Sequence, residues 1–500
     1  MSIEYSEAMQ APPNLVKKIS LYPLQQRMIL WGFILALFAL VLQDWVVATA
    51  VFVLLTCVGA SWRSDMPPII PACISYQWIG ATSGYIFYLN NGYVAGTGYP
   101  DSLWYALLLS LLGLSAVTFG LRAAMGYFKF QILKKTKEHS TPYSVRHLFF
   151  LTIISFGIQY AFEIAPKAIW FGGAQIVENL LALRFVPLFV LSLVVFERKE
   201  QYSYLVFAAL WVIGPQLLTG FSRFKEILFV ILIAALIRWR PWIATAQQKR
   251  QNRRTLVLSI VGAAVIFYLG LVWTGGLKKQ WRDEIWTDEV AASPIDRLFK
   301  FADISSNVVD EIDFGAAQED LVARLASGGL YFSYVTERVP NIVPYQEGRI
   351  LGMAVTNATQ PRFLFPDKAN LGGDSWLVRE FAGIYVAGDE SETSIGLSYL
   401  AEFYIDYGVF GILVLGFLWG GLGGTAISIF ARASPSREIF FALTIVTLTQ
   451  YYMSFDGSYI KLLAGLLQRT IVLTAALTLF GPVLHRWMSP GAKKTNPRSL

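Results

Sequence analysis

A chain of 500 residues that is 55% hydrophobic and only 15% charged cannot cover the several soluble domains such a length normally implies. Its mean hydropathy of +0.49, with 15 Trp, 24 Tyr and 35 Phe, describes a protein that sits in lipid and places aromatic rings at the boundary with water. The two cysteines, Cys57 and Cys73, lie in apolar stretches and exclude a disulfide-stapled secreted fold.

Residues 1–27 precede the first apolar run and show no small-residue cleavage site, so they read as a cytoplasmic segment and not a removable signal peptide. Runs approaching the roughly 20 apolar residues that a spanning helix needs predict about twelve transmembrane helices. These are 28–43, 45–61, 68–89, 101–121, 148–164, 181–196, 202–219, 227–239, 255–274, 407–430, 438–453 and 462–484. The expected fold is therefore an all-α polytopic integral membrane protein. A first bundle of about nine helices (28–274) is followed by a long loop (275–396), about three last helices (397–484) and a tail (485–500).

Lysine and arginine stay on the cytoplasmic side of a membrane. They cluster at 122–147 (Lys129, Lys134, Lys135, Lys137, Arg146) and 238–254 (Arg238, Arg240, Lys249, Arg250, Arg253, Arg254), which places both termini inside. The net charge of +7 then belongs to topological anchors beside anionic lipid and gives no support to a nucleic-acid partner. The loop 275–396 carries more Asp and Glu than Lys and Arg and falls on the outer face. A loop this long predicts structure of its own. Helical spacing of Leu298, Phe299, Phe301, Ile304, Val308 and Val309, and again of Leu321, Leu325, Leu330, Tyr331 and Tyr334, predicts a mainly helical subdomain.

Charges inside spans cost energy and are functional candidates, with structural ion pairs as the plainer explanation. Arg184, Arg469 and Glu163 are of this kind. The turn GFSRFKE, Gly220–Glu226, sets Arg223 and Lys225 at the outer mouth of the bundle. A guanidinium fork suits phosphate there, although an ordinary basic turn reads the same way. A second group holds Tyr345 and Arg349 of VPYQEGR, Arg362 and Lys368 of PRFLFPDK, and then Asp374 and Arg379. Aromatic rings beside arginines and carboxylates are the materials of a sugar site, though each residue alone reads as a solvated surface group. The third group is SYLAEFYIDYGVFG, where Ser398, Glu402 and Asp406 share a helix face. Its two carboxylates should repel unless one is protonated or paired, which is one way to tune a general base; an interfacial amphipathic helix is the alternative. The three histidines, His139, His147 and His485, all fall on the cytoplasmic side, and no metal motif, nucleotide-binding glycine loop or Ser/His/Asp set is present.

The order of the GFSRFKE turn, the long outer loop with TERVPNIVPYQEGR and PRFLFPDK, and SYLAEFYIDYGVFG entering a glycine-rich span resembles the Wzy-type polymerases that join oligosaccharide repeat units of bacterial O-antigens and exopolysaccharides. The likeness covers about residues 200–430. It implies a GT-C-like glycosyltransferase of the bacterial inner membrane that uses undecaprenyl-pyrophosphate-linked oligosaccharide at the periplasmic face, with no metal or nucleotide sugar. By motif, Arg223 would bind pyrophosphate, Arg362, Arg379 and Lys368 would contact phosphates or sugars, and Glu402 or Asp406 would deprotonate the acceptor hydroxyl. A chain-length regulator and a flippase are the implied partners. Two alternatives stay open: an O-antigen ligase, for which the outer loop lacks the expected histidine, and a flippase or other transporter without catalysis.

Overall fold

The computed structural model describes residues 23–41, 44–63, 65–90, 102–136, 143–164, 173–217, 224–237, 246–273, 314–360, 373–388 and 394–489, with isolated positions at 277, 281, 299, 303, 304, 364 and 365. These residues are 85% helical and form no strand. The helices are α1 (Pro23–Val41), α2 (Trp45–Ser61), α3 (Ile69–Asn90), α4 (Leu103–Tyr127), α5 (Lys129–Thr136), α6 (Val145–Ile164), α7 (Ala174–Leu181), α8 (Phe185–Arg198), α9 (Tyr202–Leu217), α10 (Phe224–Leu236), α11 (Ala246–Val272), α12 (Phe314–Arg338), α13 (Arg349–Thr359), α14 (Tyr399–Ala433), α15 (Arg437–Tyr451) and α16 (Tyr459–Met488).

Among the described residues, five stretches are long and apolar enough to cross a membrane: Leu103–Tyr127, Val145–Phe162, Gln175–Arg198, Tyr399–Ala433 and Tyr459–Met488. Four shorter apolar helices, Gln25–Val41, Trp45–Ser61, Tyr202–Pro215 and Glu226–Leu236, accompany them. This is a helical membrane protein. Its apolar helices show little preference for one face, as expected where lipid and protein are both apolar surroundings. Side-chain caps fix several helix starts: Asp44 accepts from Val47 N (2.9 Å) before α2, and Ser436 accepts from Ile439 N (3.3 Å) before α15.

The closest packing in the bundle is between α4 and α14, and glycines make it possible. A Cβ on Gly420 would fall within the carbonyl of Val117 and 2.8 Å from Leu121 N, and one on Gly424 would lie 2.7 Å from Ala124 Cβ. Gly120 of α4 meets the Phe417 carbonyl in the same way. Beside this seam Trp419 stacks on Tyr452, ring centroids 4.5 Å apart and planes 9° from parallel. Tyr399 donates to Gln77 Oε1 (2.6 Å) and Gln77 Nε2 donates to the Tyr452 carbonyl (2.5 Å), so these buried polar groups satisfy one another.

The bundle has two chemically distinct ends. At one, α12 lies on α3 and α4, where Ser102 Oγ donates to the Ser333 carbonyl (3.0 Å), and α13 lies on the start of α16, where Asn357 Nδ2 donates to the Ile460 carbonyl (2.9 Å). We call this the loop end. The expected helical spacing of Leu321–Tyr334 is realised in α12, which turns Phe332 and Val335 inward. Residues 298–309 lie almost wholly outside the described residues. The opposite end gathers Tyr143, Arg198, Arg432, Arg437, His485 and Met488: Tyr143 donates to Ser436 Oγ (2.8 Å), Arg198 Nη2 donates to the Tyr143 carbonyl (2.7 Å), and Ser144 N donates to the Met488 carbonyl (3.4 Å).

Candidate functional site

The loop end joins two sequence motifs that are far apart in the chain. In α14 the helix breaks at Tyr407 (φ −140°, ψ 17°) and Gly408 (φ 62°, ψ −145°). A break frees the carbonyls of the preceding turn, which no longer meet amides four residues on. Those of Ile405 and Asp406 accept instead from Gln346 N (2.9 Å) and Glu347 N (3.1 Å). Gly408 takes the left-handed conformation that favours glycine, and a Cβ there would lie 3.0 Å from Tyr345 Oη. VPYQEGR is thus docked on the interruption in SYLAEFYIDYGVFG.

Both carboxylates of that motif are occupied by backbone amides. Asp406, 2% exposed, accepts from Ile350 N (3.0 Å) and Leu351 N (2.8 Å) at the start of α13. Glu402, fully buried, accepts from Tyr459 N (3.0 Å) at the start of α16. Each carboxylate thus sits at the N-terminus of a helix and has a backbone partner there, with no arginine between the two acids. The spacing read from sequence holds, but the partners are helix N-termini.

Around them the second group forms a clamp. Arg349 pairs with Glu380 (3.1 Å), donates to Gln346 Oε1 (3.1 Å) and lies 5.8 Å from the Trp376 ring. Asp374 pairs with Lys461 (2.8 Å) and accepts from Ser394 Oγ (3.2 Å). Arg379 donates to the Val386 carbonyl through Nε (2.9 Å) and Nη2 (2.5 Å) and covers the Tyr385 ring at 4.6 Å. Tyr345 is 38% exposed and packs 6.0 Å from the Tyr404 ring. Because the Lys461–Asp374 pair is partly solvated, Lys461→Ala is expected to cost only about 0.2–1 kcal/mol in chemical unfolding of the detergent-solubilised protein.

A different set of residues surrounds a cavity of about 210 Å³, lined by Gln159 and Phe162 of α6, Glu178 and Leu181 of α7, Ala182 and Arg184 of the turn joining α7 to α8, Phe185, Glu226 of α10, Gln450 of α15 and Arg469 of α16. The sequence treats 181–196 as one span; in the structure Ala182–Arg184 is a tight single turn between two helices, and this turn carries the arginine. Arg184 donates to the Leu181 carbonyl (2.9 Å) and lies over the rings of Phe185 (4.5 Å) and Phe156 (5.6 Å).

Arg469 is 5% exposed. Its Nε donates to Asn179 Oδ1 (3.2 Å), Nη1 donates to Gln450 Oε1, and its guanidinium lies 5.1 Å from the Tyr451 ring. Among the described residues no carboxylate comes within ion-pair distance of it. Burying a cation costs several kcal/mol, and here neutral amides and an aromatic face hold it in place without cancelling its charge. The cavity, about 210 Å³, has room for a diphosphate. Ten residues of α16, roughly 15 Å at 1.5 Å per residue, separate Arg469 from the amide that Glu402 caps.

Of the residues expected from sequence, Tyr345, Arg349, Asp374, Arg379, Glu402 and Asp406 come together at the loop end. Arg223, Arg362 and Lys368 lie outside the described residues. Lys225 is in the first turn of α10, but its side chain is outside them too. Gln159, Asn179, Glu178 and Gln450 were not singled out from sequence. Amides within apolar spans are the signal that marks three of them.

The arrangement defines a helical membrane protein with a cavity lined by two arginines and two glutamates and a loop interlocked with a broken helix. The chain belongs to the family described as a domain of unknown function, DUF8712, which matches residues 102–434. The match runs from the start of α4 to the end of α14, so it takes in the interlock and the cavity residues of α6, α7 and α10, while Gln450 and Arg469 lie beyond it. No curated protein and no solved structure matches the chain.

Proposed function

We propose that this protein is a membrane glycosyltransferase of GT-C type that polymerises undecaprenyl-pyrophosphate-linked repeat units at the periplasmic face of a bacterial inner membrane. In this reading the chain crosses about twelve times, both termini are cytoplasmic, and the loop end faces the periplasm. The observation that carries it is the cavity lined by both Arg184 and the buried Arg469, whose hydrogen bonds go to the amides of Asn179 and Gln450. In sequence Arg223 and Lys225 precede Glu226, which lines the cavity.

Transfer breaks the bond from the anomeric carbon to the pyrophosphate oxygen, and the electron pair leaves with the diphosphate. A hydroxyl of the acceptor unit forms the new bond and gives up its proton to a base. Arginines aimed at the developing negative charge favour that departure, and a dry surrounding strengthens their effect. The clamp and interlock hold the loop over the bundle, where Tyr345 and the Trp376–Arg349 pair offer a surface for sugar.

The test is reconstitution with lipid-linked repeat units extracted from cells that lack this protein. Wild type is expected to yield ladders of several repeats, and Arg469→Ala to reduce their formation on the order of 10²–10³-fold, the usual effect of removing one transition-state donor. An undiminished ladder from Arg469→Ala would remove the pyrophosphate site. Equilibration of the lipid across vesicles without bond formation would establish a flippase instead, and transfer to a lipid A core acceptor alone would establish a ligase.

A further inference from the structure

The carboxylates that sequence nominates as the base, Glu402 and Asp406, are bound to helix N-termini, whereas two other carboxylates line the arginine cavity. Glu178 and Glu226 form no hydrogen bond or ion pair with any described residue, and their electrostatic influence reaches Arg469 and Tyr451 across the cavity. They are not spent on neutralising the buried cation, whose polar partners are amides. Of the two, Glu178 is exposed, while Glu226 is half-buried in the first turn of α10.

We propose that Glu226 is the general base of the transfer, taking the proton of the acceptor hydroxyl while Arg184 and Arg469 hold the departing diphosphate. This rests on the glycosyltransferase reading. The hydroxyl oxygen bonds to the anomeric carbon, the carbon–oxygen bond to the diphosphate breaks with its electron pair on the leaving group, and the proton ends on the Glu226 carboxylate. Glu226 lies at the cavity that takes the leaving group, and no hydrogen bond or ion pair with a described residue holds it elsewhere. A positioned proton acceptor contributes about 10²–10⁴-fold.

The experiment compares wild type, Glu226→Gln, Glu226→Asp and Glu178→Gln in the reconstituted ladder assay, with kcat and KM measured for the extracted lipid-linked repeat unit. Glu226→Gln keeps shape and hydrogen-bonding capacity but cannot accept the proton. Its kcat is expected to fall about 10²–10⁴-fold with KM within a few-fold of wild type, and Glu226→Asp and Glu178→Gln each to fall less. A role in holding the donor or the fold would raise KM or lower the thermal midpoint instead, and overturns the assignment. So does a Glu226→Gln enzyme with wild-type kcat, or a loss confined to Glu178→Gln. If Glu226→Gln does not fold, Glu226→Asp decides: unchanged kcat overturns the proposal, and reduced kcat at unchanged KM supports it. Wild-type protein that joins no repeat units overturns the glycosyltransferase reading itself, whereas polymerisation that ignores Glu226 overturns this inference alone.

Discussion

Gly420→Val is expected to cost the bundle about 3 kcal/mol, at or beyond the upper end of what overpacking usually does. The added carbons meet backbone, the Val117 carbonyl and the Leu121 amide, and backbone cannot swing aside as a long side chain can. Relief requires α4 and α14 to separate, and that loosens the Gly120–Phe417 and Gly424–Ala124 contacts along the same seam. The adjacent Gly421 is the control, since a Cβ there meets nothing within 4 Å. Gly421→Ala is expected to leave stability unchanged or raise it by up to about 1 kcal/mol, the gain in helix propensity. Thermal midpoints of the two detergent-solubilised variants check this pair. Equal midpoints would show that the seam is softer than its geometry.

Asp406→Ala is expected to cost about 2–4 kcal/mol, because each buried amide left without a partner costs roughly 1–3 kcal/mol. The substitution strands Ile350 N and Leu351 N together, and Ile350 itself is 1% exposed. Asp406→Asn retains one acceptor oxygen and should lose about half as much. Hydrogen exchange gives the local signature: amides 346–351 should lose protection in Asp406→Ala while those of α4 keep theirs. Unchanged protection at 346–351 would mean that the backbone bonds from Gln346 and Glu347 hold the interlock unaided.

How far this structure was legible in its sequence follows from the range of each interaction. Apolar runs forecast α3 and α4 closely, because hydrophobicity is a property of contiguous residues. Their limits moved where polar chain continues a helix: α11 begins at Ala246, inside a basic run, and α14 extends from Tyr399 through the break at Gly408. Arg184 and Arg469 stood out as charges within spans, yet nothing in sequence says that residues on α7, α10 and α16 share one cavity, since only tertiary packing joins them. Glu402 and Asp406 were visible as a pair on one face. Their partners are backbone amides of Ile350, Leu351 and Tyr459, and a backbone amide has no side-chain signature to find.

The interlock also bears on how the chain is assembled at the translocon. The amides of Gln346 and Glu347 precede the carbonyls of Ile405 and Asp406 in the chain, so the docking strap is synthesised before the broken helix that needs it. As α14 emerges, its freed carbonyls can be met at once by a segment already waiting beside the membrane. A protein expressed as two fragments cut between 360 and 398 would keep every apolar helix but lose that timing, and its second fragment would insert with two naked carbonyls and an unpartnered aspartate at the rim of its first helix.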